Sequence, residues 1–133
     1  MSRKIIDVQK RVVQAFPAQD TTTASAAIDL EEVAPFPSTE RYALEIIVPA
    51  MPDLANSQTA TFTVQDSADG TTFATLAGLT TLVLTGGGGT GAAAAKRAVR
   101  LPDNTRRYVR VNVAMSATAG DNTGVSYTLQ LAF

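Results

Sequence analysis

The carboxylates Asp66 and Asp69, three apart ahead of Gly70, and the adjacent Glu31 and Glu32 are the pairs in this 133-residue sequence best suited to acid–base chemistry. Two such groups at the right separation can hydrolyse a glycosidic bond, one protonating the leaving oxygen while the other activates water or attacks the sugar. Little else could handle a proton near neutrality. With no histidine and no cysteine, the chain lacks a side chain that ordinarily titrates near pH 7, a soft metal ligand and an activated thiol. Asp66 and Asp69 also stand where a turn needs them. With no tryptophan, three tyrosines and five phenylalanines, a sugar-stacking cleft is poorly supplied. The spacing Asp66-x-x-Asp69-Gly70 does not match a helix-loop-helix calcium site. The residues point away from an enzyme, and no metal or cofactor is expected.

The second feature with chemical potential is Gly86-Gly87-Gly88-Gly89-Thr90-Gly91, which contains G-x-G-x-x-G and the first half of a phosphate-binding loop. The match fails where chemistry begins. A phosphate loop needs Lys and then Ser or Thr after its last glycine, and here Ala92 and Ala93 follow. A dinucleotide site needs a helix whose first amides face the pyrophosphate, and Ala92 to Arg100 is short and closed by Pro102. A surface or close-contact loop is the remaining reading.

The elements that must position these residues are strands, because apolar and polar residues alternate with period two through most of the chain. Tyr42, Leu44, Ile46 and Val48 share one face; so do Ala60, Phe62 and Val64, with Thr61, Thr63 and Gln65 opposite. Val109, Val111, Val113 and Met115 oppose Tyr108, Arg110, Asn112 and Ala114, and Val125, Tyr127, Leu129, Leu131 and Phe133 oppose Ser126, Thr128, Gln130 and Ala132. The turn cluster Ala117 to Gly124 between these last two suggests that they pair as neighbours. Asp69-Gly70 supplies the positive φ of a tight hairpin whose return strand is Phe73 to Leu76. Leu79 to Thr85, Arg11 to Ala18, Ala26 to Leu30 and Ala94 to Leu101 are further strands. About eight short antiparallel strands without a convincing helix predict an all-β jelly-roll β-sandwich.

One domain of this length can bury a sizeable core without disulfides or metals. No run approaches the roughly 18 apolar residues of a membrane span, and the start, Met1 to Asp7, lacks the apolar stretch of a signal peptide. Neither membrane insertion nor export by that route is expected. The net charge of −1 conceals segregation: residues 1–11 carry +3, residues 20–69 carry −8, and residues 96–110 carry +5. Such asymmetry can steer docking, although solvated strand faces also collect charge. Arg106-Arg107-Tyr108-Val109-Arg110 in the basic block could form a contact patch for an acidic partner, but Arg110 and Tyr108 share the non-core face, and pairing across strands with the acidic middle, or another surface role, is the main expectation. Nucleic acid is a poor partner, since the chain is acidic overall and no aromatic platform interleaves with the bases.

Several segments together resemble the capsid cement, or decoration, proteins of short-tailed and related tailed bacteriophages, the family typified by a Bordetella phage. They are Gln19-Asp20-Thr21-Thr22-Thr23-Ala24-Ser25, Ala27-Ile28-Asp29-Leu30, the strand after Arg41-Tyr42, Thr59 to Gln65 leading into Ser67-Ala68-Asp69-Gly70, and Arg107 to Val113. The resemblance implies a non-enzymatic jelly roll that binds the capsid exterior as an oligomer and locks neighbouring major capsid protein subunits. On that expectation the partners are the major capsid protein and further copies of this chain, with a dimer favoured, in a virion assembled in the host bacterial cytoplasm. The chain departs from the family in its longer basic start and its glycine stretch. Residues 1–10 are therefore read as an N-terminal arm and 11–133 as the jelly-roll domain, with Arg3, Lys4, Ile5, Ile6, Val8, Gly88 and Gly89 as candidate capsid or subunit contacts. The alternative is a glycan- or receptor-binding jelly-roll module of a phage tail or adhesin.

Overall fold

The computed structural model describes residues 6–30, 43–76, 79, 82–102 and 105–132, with the side chains of residues 6–10 and 132 outside the description. Ten strands are present among them: β1 (Ile6–Ala15), β2 (Thr22–Ala24), β3 (Ile28–Asp29), β4 (Ala43–Val48), β5 (Thr59–Ser67), β6 (Ala74–Thr75), β7 (Leu82–Thr85), β8 (Ala95–Arg100), β9 (Tyr108–Met115) and β10 (Ser126–Ala132). The alternation read from the sequence is the cause. In β9, Val109, Val111, Val113 and Met115 are buried while Tyr108, Arg110, Asn112 and Ala114 stay half-exposed. Each such apolar side chain withdrawn from water contributes roughly 1.5–3 kcal/mol.

The strands form two antiparallel sheets that pack as a β-sandwich. One runs β1-β10-β4-β8, and the other β2-β9-β5-β6, with β3 also on β9 and β7 also on β5. The chain crosses repeatedly between them. A single core lies in between, built from Leu44, Ile46, Val48, Tyr127, Leu129 and Leu131 of the first sheet and Ala60, Phe62, Val64, Val109, Val111 and Val113 of the second. Phe16, Phe62 and Tyr127 meet edge to face at its centre, with ring centroids 5.1–5.8 Å apart. Each aromatic pair adds about 0.5–1.5 kcal/mol beyond its buried area.

Three expectations are corrected here. The strands β9 and β10 do not pair with each other: β9 lies on β5 and β2, while β10 lies between β1 and β4 in the opposite sheet. Ala117 to Gly124 is therefore an arch between sheets rather than a hairpin. The first strand starts at Ile6 and ends at Ala15, so the backbone of Ile6 to Lys10 runs in the sheet instead of forming part of an arm. It does so irregularly, because the register jumps between Asp7↔Leu131 and Val12↔Leu129, leaving four residues of β1 against Gln130 alone. Finally, Thr22–Ala24 forms a strand that the periodicity did not predict. Tyr42, Phe133 and residues 1–5 and 31–41 lie outside the described residues.

Burial pushes the Tyr127 phenol up to about 12, from an ordinary value of 10.0. The folded state thus keeps a proton that the unfolded chain gives up above pH 10, and stability is fully present below that pH and falls as the pH rises towards 12. Thermal melts between pH 9 and about 11.5 should show a steeper loss of stability in the parent protein than in Tyr127→Phe. Parallel slopes would contradict this.

Candidate functional site

The glycine stretch forms the tip of the turn between β7 and β8, and its glycines do separate jobs. Gly88 and Gly89 have φ of 63° and 72°, and the Thr90 amide donates to the Gly87 carbonyl at 3.2 Å, which is a tight turn with two left-handed residues. Gly86 and Gly91 serve close approach. A Cβ on Gly86 would collide with the carbonyl oxygens of Leu54 and Ala55, and one on Gly91 with that of Met51. Backbone hydrogen bonds hold both flanks, with Met51 and Ala92 exchanging two bonds of 2.8 and 2.9 Å and Gly86 bonded to Gln58 and Ser57. The stretch is a pinned turn in the connection that crosses from the second sheet to the first. It opens no helix and offers no phosphate cradle.

The carboxylates considered for acid–base work are committed to structure. Asp66 is buried and accepts from the Arg106 backbone amide through Oδ2 and from the Arg106 guanidinium through Oδ1, each at 2.9 Å. Asp69 caps the turn after β5. Its Oδ1 accepts from the amides of Thr72 and Thr71 and from the Ser67 hydroxyl, in that order the causes that hold it well below the usual carboxylate range. Glu31 and Glu32 lie outside the described residues. Among the described residues no group of three or more acidic, histidine or cysteine side chains is placed to hold a metal ion.

The basic block pairs with the acidic middle, as expected, but through different arginines. Arg106 takes Asp66, and Arg107 makes a two-pronged contact with Asp29 at 2.8 and 2.9 Å. Arg110 instead donates Nε–H to Gln65 Oε1 at 2.9 Å and lays its guanidinium over the Phe73 ring at 3.9 Å. Such stacking on an aromatic face is the planar guanidinium's particular capability. Tyr108 neighbours it, with Gly70 lying against the tyrosine ring.

Two features escaped the sequence. Glu45 points outward by alternation yet is fully buried, joined to Gln130 Nε2 at 2.8 Å and Lys96 Nζ at 3.7 Å, while Arg11 donates to Gln130 at 3.1 Å. This network ties all four strands of the first sheet together. In the arch, the buried Asn122 donates Nδ2 to the carbonyls of Ala119 and Gly120, and its Oδ1 meets no donor among the described residues. A lone outward Glu or a loop Asn gives no sequence signal for either role.

Of the candidate contact residues, Arg3, Lys4 and Ile5 lie outside the described residues; Ile6 and Val8 are in β1, with Ile6 opposite Ala132 at the end of β10. Gly88 and Gly89 sit in the turn that leads into the start of β8, the end of the first sheet where β10 begins.

Comparison with known proteins yields no matching family model and no matching curated protein. The functional reading therefore rests on the residues themselves.

Alanine substitutions should separate the glycine roles. Gly91→Ala, which combines a left-handed φ of 76° with a backbone collision, should cost more than about 2 kcal/mol, and Gly88→Ala about 1–2 kcal/mol. Gly87→Ala, with open space around its Cβ position, should be neutral within about 1 kcal/mol. Urea unfolding midpoints of the three variants measure the order, and equal effects would refute the pinned-tip geometry.

Proposed function

We propose that this protein is a non-enzymatic structural component of a bacteriophage head, a jelly-roll cement protein that binds the outer surface of the capsid and bridges neighbouring major capsid protein subunits. The observation that carries this reading is where the cement-like segments lie. Gln19 to Ser25 includes β2, Ala27 to Leu30 includes β3, Thr59 to Gly70 is β5 and its turn, and Arg107 to Val113 is most of β9. These four belong to the same sheet, while the fifth, the strand after Tyr42, is β4 in the first sheet. Side-chain bonds stitch them together, with the Ser25 hydroxyl accepting from the Val111 amide at 3.1 Å and Asp29 accepting from Arg107.

Strand order supports the jelly-roll part of the proposal. If β2 with β3 and β6 with β7 are each counted as one interrupted strand, eight strands remain, and the two sheets read first-eighth-third-sixth and second-seventh-fourth-fifth. That order is what two Greek keys wrapped into a double sheet produce. The commitment of Asp66 and Asp69 to structural bonds favours binding over turnover.

The mechanism is linkage. A protein that binds only the assembled shell stabilises it by RT ln(1 + [L]/Kd) per site, and symmetry multiplies the sites. Oligomerisation, as a dimer in this proposal, would let weak single contacts act together through effective concentration. Purified protein mixed with undecorated heads assembled from the cognate major capsid protein should bind saturably at fixed stoichiometry and raise the temperature of head disruption. Absence of binding, or specific retention on a glycan array instead, would overturn the proposal.

A further inference from the structure

The outer face of the second sheet is almost free of charge. It is up to four strands wide, and it presents Thr22 and Ala24 from β2, Asn112 and Ala114 from β9, Thr59, Thr61 and Thr63 from β5, and Val83 and Thr85 from β7. Val83 is one of two large hydrophobic residues exposed among the described residues. Ordinary protein surface is about 25–35% charged, and long charged side chains lose substantial rotamer freedom when a partner immobilises them. Threonine, alanine and valine lose little. A face of these residues is therefore inexpensive to cover, and depletion of Lys, Glu and Asp is the mark of protein interfaces.

Beyond the Asp29–Arg107 pair at its corner, this face carries one cation among the described residues, Arg110. Its neighbours in sequence spend their guanidinium groups on Asp66 and Asp29, whereas no ion pair joins Arg110 to a carboxylate among the described residues. The Phe73 ring below and the Gln65 amide beside it hold the group in place. Nε is used, and the outer guanidinium nitrogens have no bond recorded among the described residues. A fixed planar fork of this kind matches a carboxylate with two parallel hydrogen bonds, and its immobilisation is complete before a partner arrives.

We propose that this face is the surface by which the protein docks, and that its partner is a flat, weakly charged protein surface presenting one Asp or Glu carboxylate to Arg110. The inference rests on the reading of the chain as a capsid-binding protein and specifies the binding face and its chemistry. A polyanion is the wrong occupant, because nucleic-acid affinity grows with the number of bases engaged and this face offers one. A second copy fits poorly as well. Four strands by seven residues span about 450 Å² in projection at ordinary strand spacings, and a second copy laid face to face would offer Arg110 only Asp29 among the described residues of this face, which Arg107 already holds. A surface this small suits a shell that repeats its site many times.

The test uses the full chain and undecorated heads, with bound protein quantified after sedimentation. Arg110→Ala should weaken binding about tenfold or more, Arg110→Lys should fail to restore it, and Thr61→Lys, which sets a long charged side chain at the centre of the face, should weaken it comparably. Val13→Lys, on the opposite sheet, should leave binding unchanged. Thermal melts establish that each variant is folded, and Arg110→Lys and Thr61→Lys keep the test decisive if Arg110→Ala is unstable. If the parent binds and folded Arg110 and Thr61 variants bind equally well, the docking face is wrong while capsid binding stands. If the parent itself does not bind, the capsid reading fails and the inference with it. Binding of a DNA duplex that Arg110→Ala abolishes would also overturn it.

Discussion

The contact on which the structure depends is the burial of one side of each sheet against the other, with Phe16, Phe62 and Tyr127 interlocked where they meet. Phe62 comes from the centre of the second sheet, Tyr127 from the first, and Phe16 from the chain leaving β1. A period-two strand can bury only one of its faces in a two-layer fold, so register is fixed wherever the inward residue is large and apolar. Shifting β9 by one residue would bring Tyr108 and Arg110 inward and expel Val109 and Val111. The penalty of several kilocalories per strand explains why the outward faces are free to carry other work.

At the loop end, close approach takes over from side-chain packing. The turn at Gly86 to Gly91 and the arch at Gly120 both lie against the segment from Met51 to Ser57, and in each case the bare backbone of a glycine meets a carbonyl. Such contacts leave no room for adjustment. They join the β4–β5, β7–β8 and β9–β10 connections into one backbone-bonded cluster, with Ala55 donating to Ala119 at 3.0 Å. Glycine-rich sequence here therefore goes with definite geometry rather than with freedom.

The parts legible in the sequence were those governed by local period. The inward sets Ala60, Phe62, Val64 and Val109, Val111, Val113 are buried as alternation requires, and Gly70 takes the expected positive φ of 81°, although the connection to β6 spans Ser67 to Phe73 instead of closing as a tight hairpin. Assignment of strands to sheets was not local. Ala117 to Gly124 has the composition of a turn whether the chain reverses beside itself or vaults to the opposite layer, so β9 and β10 looked like partners. Thr22–Ala24 lacked the apolar alternation that announces a strand, and its pairing depends on β9 being there to receive it. Of the site, the pairing of the basic block with the acidic middle was foreseeable. The choice of Arg106 and Arg107, leaving Arg110 for Phe73, followed from which residues share a face, and that needs the register.

The free edges of the sandwich limit how copies or partners can associate. An unpaired edge strand invites another strand to add to it, and natural sheets blunt that tendency with short strands, bulges or charge. Here β2, β3, β6 and β7, which flank the second sheet, are two to four residues long. The first sheet ends on one side in β8, where Lys96, Arg97 and Arg100 would face like charges across a symmetric pairing, and on the other in β1, interrupted by its register jump. Strand addition is thus discouraged at each of these edges. Association must then use faces or loop ends, and the two faces differ in kind. That of the first sheet carries Arg11, Lys96 and Arg100 around the buried Glu45 network, whereas that of the second offers hydroxyls, methyl groups and a single anchored guanidinium. A contact that must form at many equivalent sites without cross-linking unrelated molecules gains most from the second arrangement, in which fit over short side chains supplies the affinity and one charged bond supplies the register.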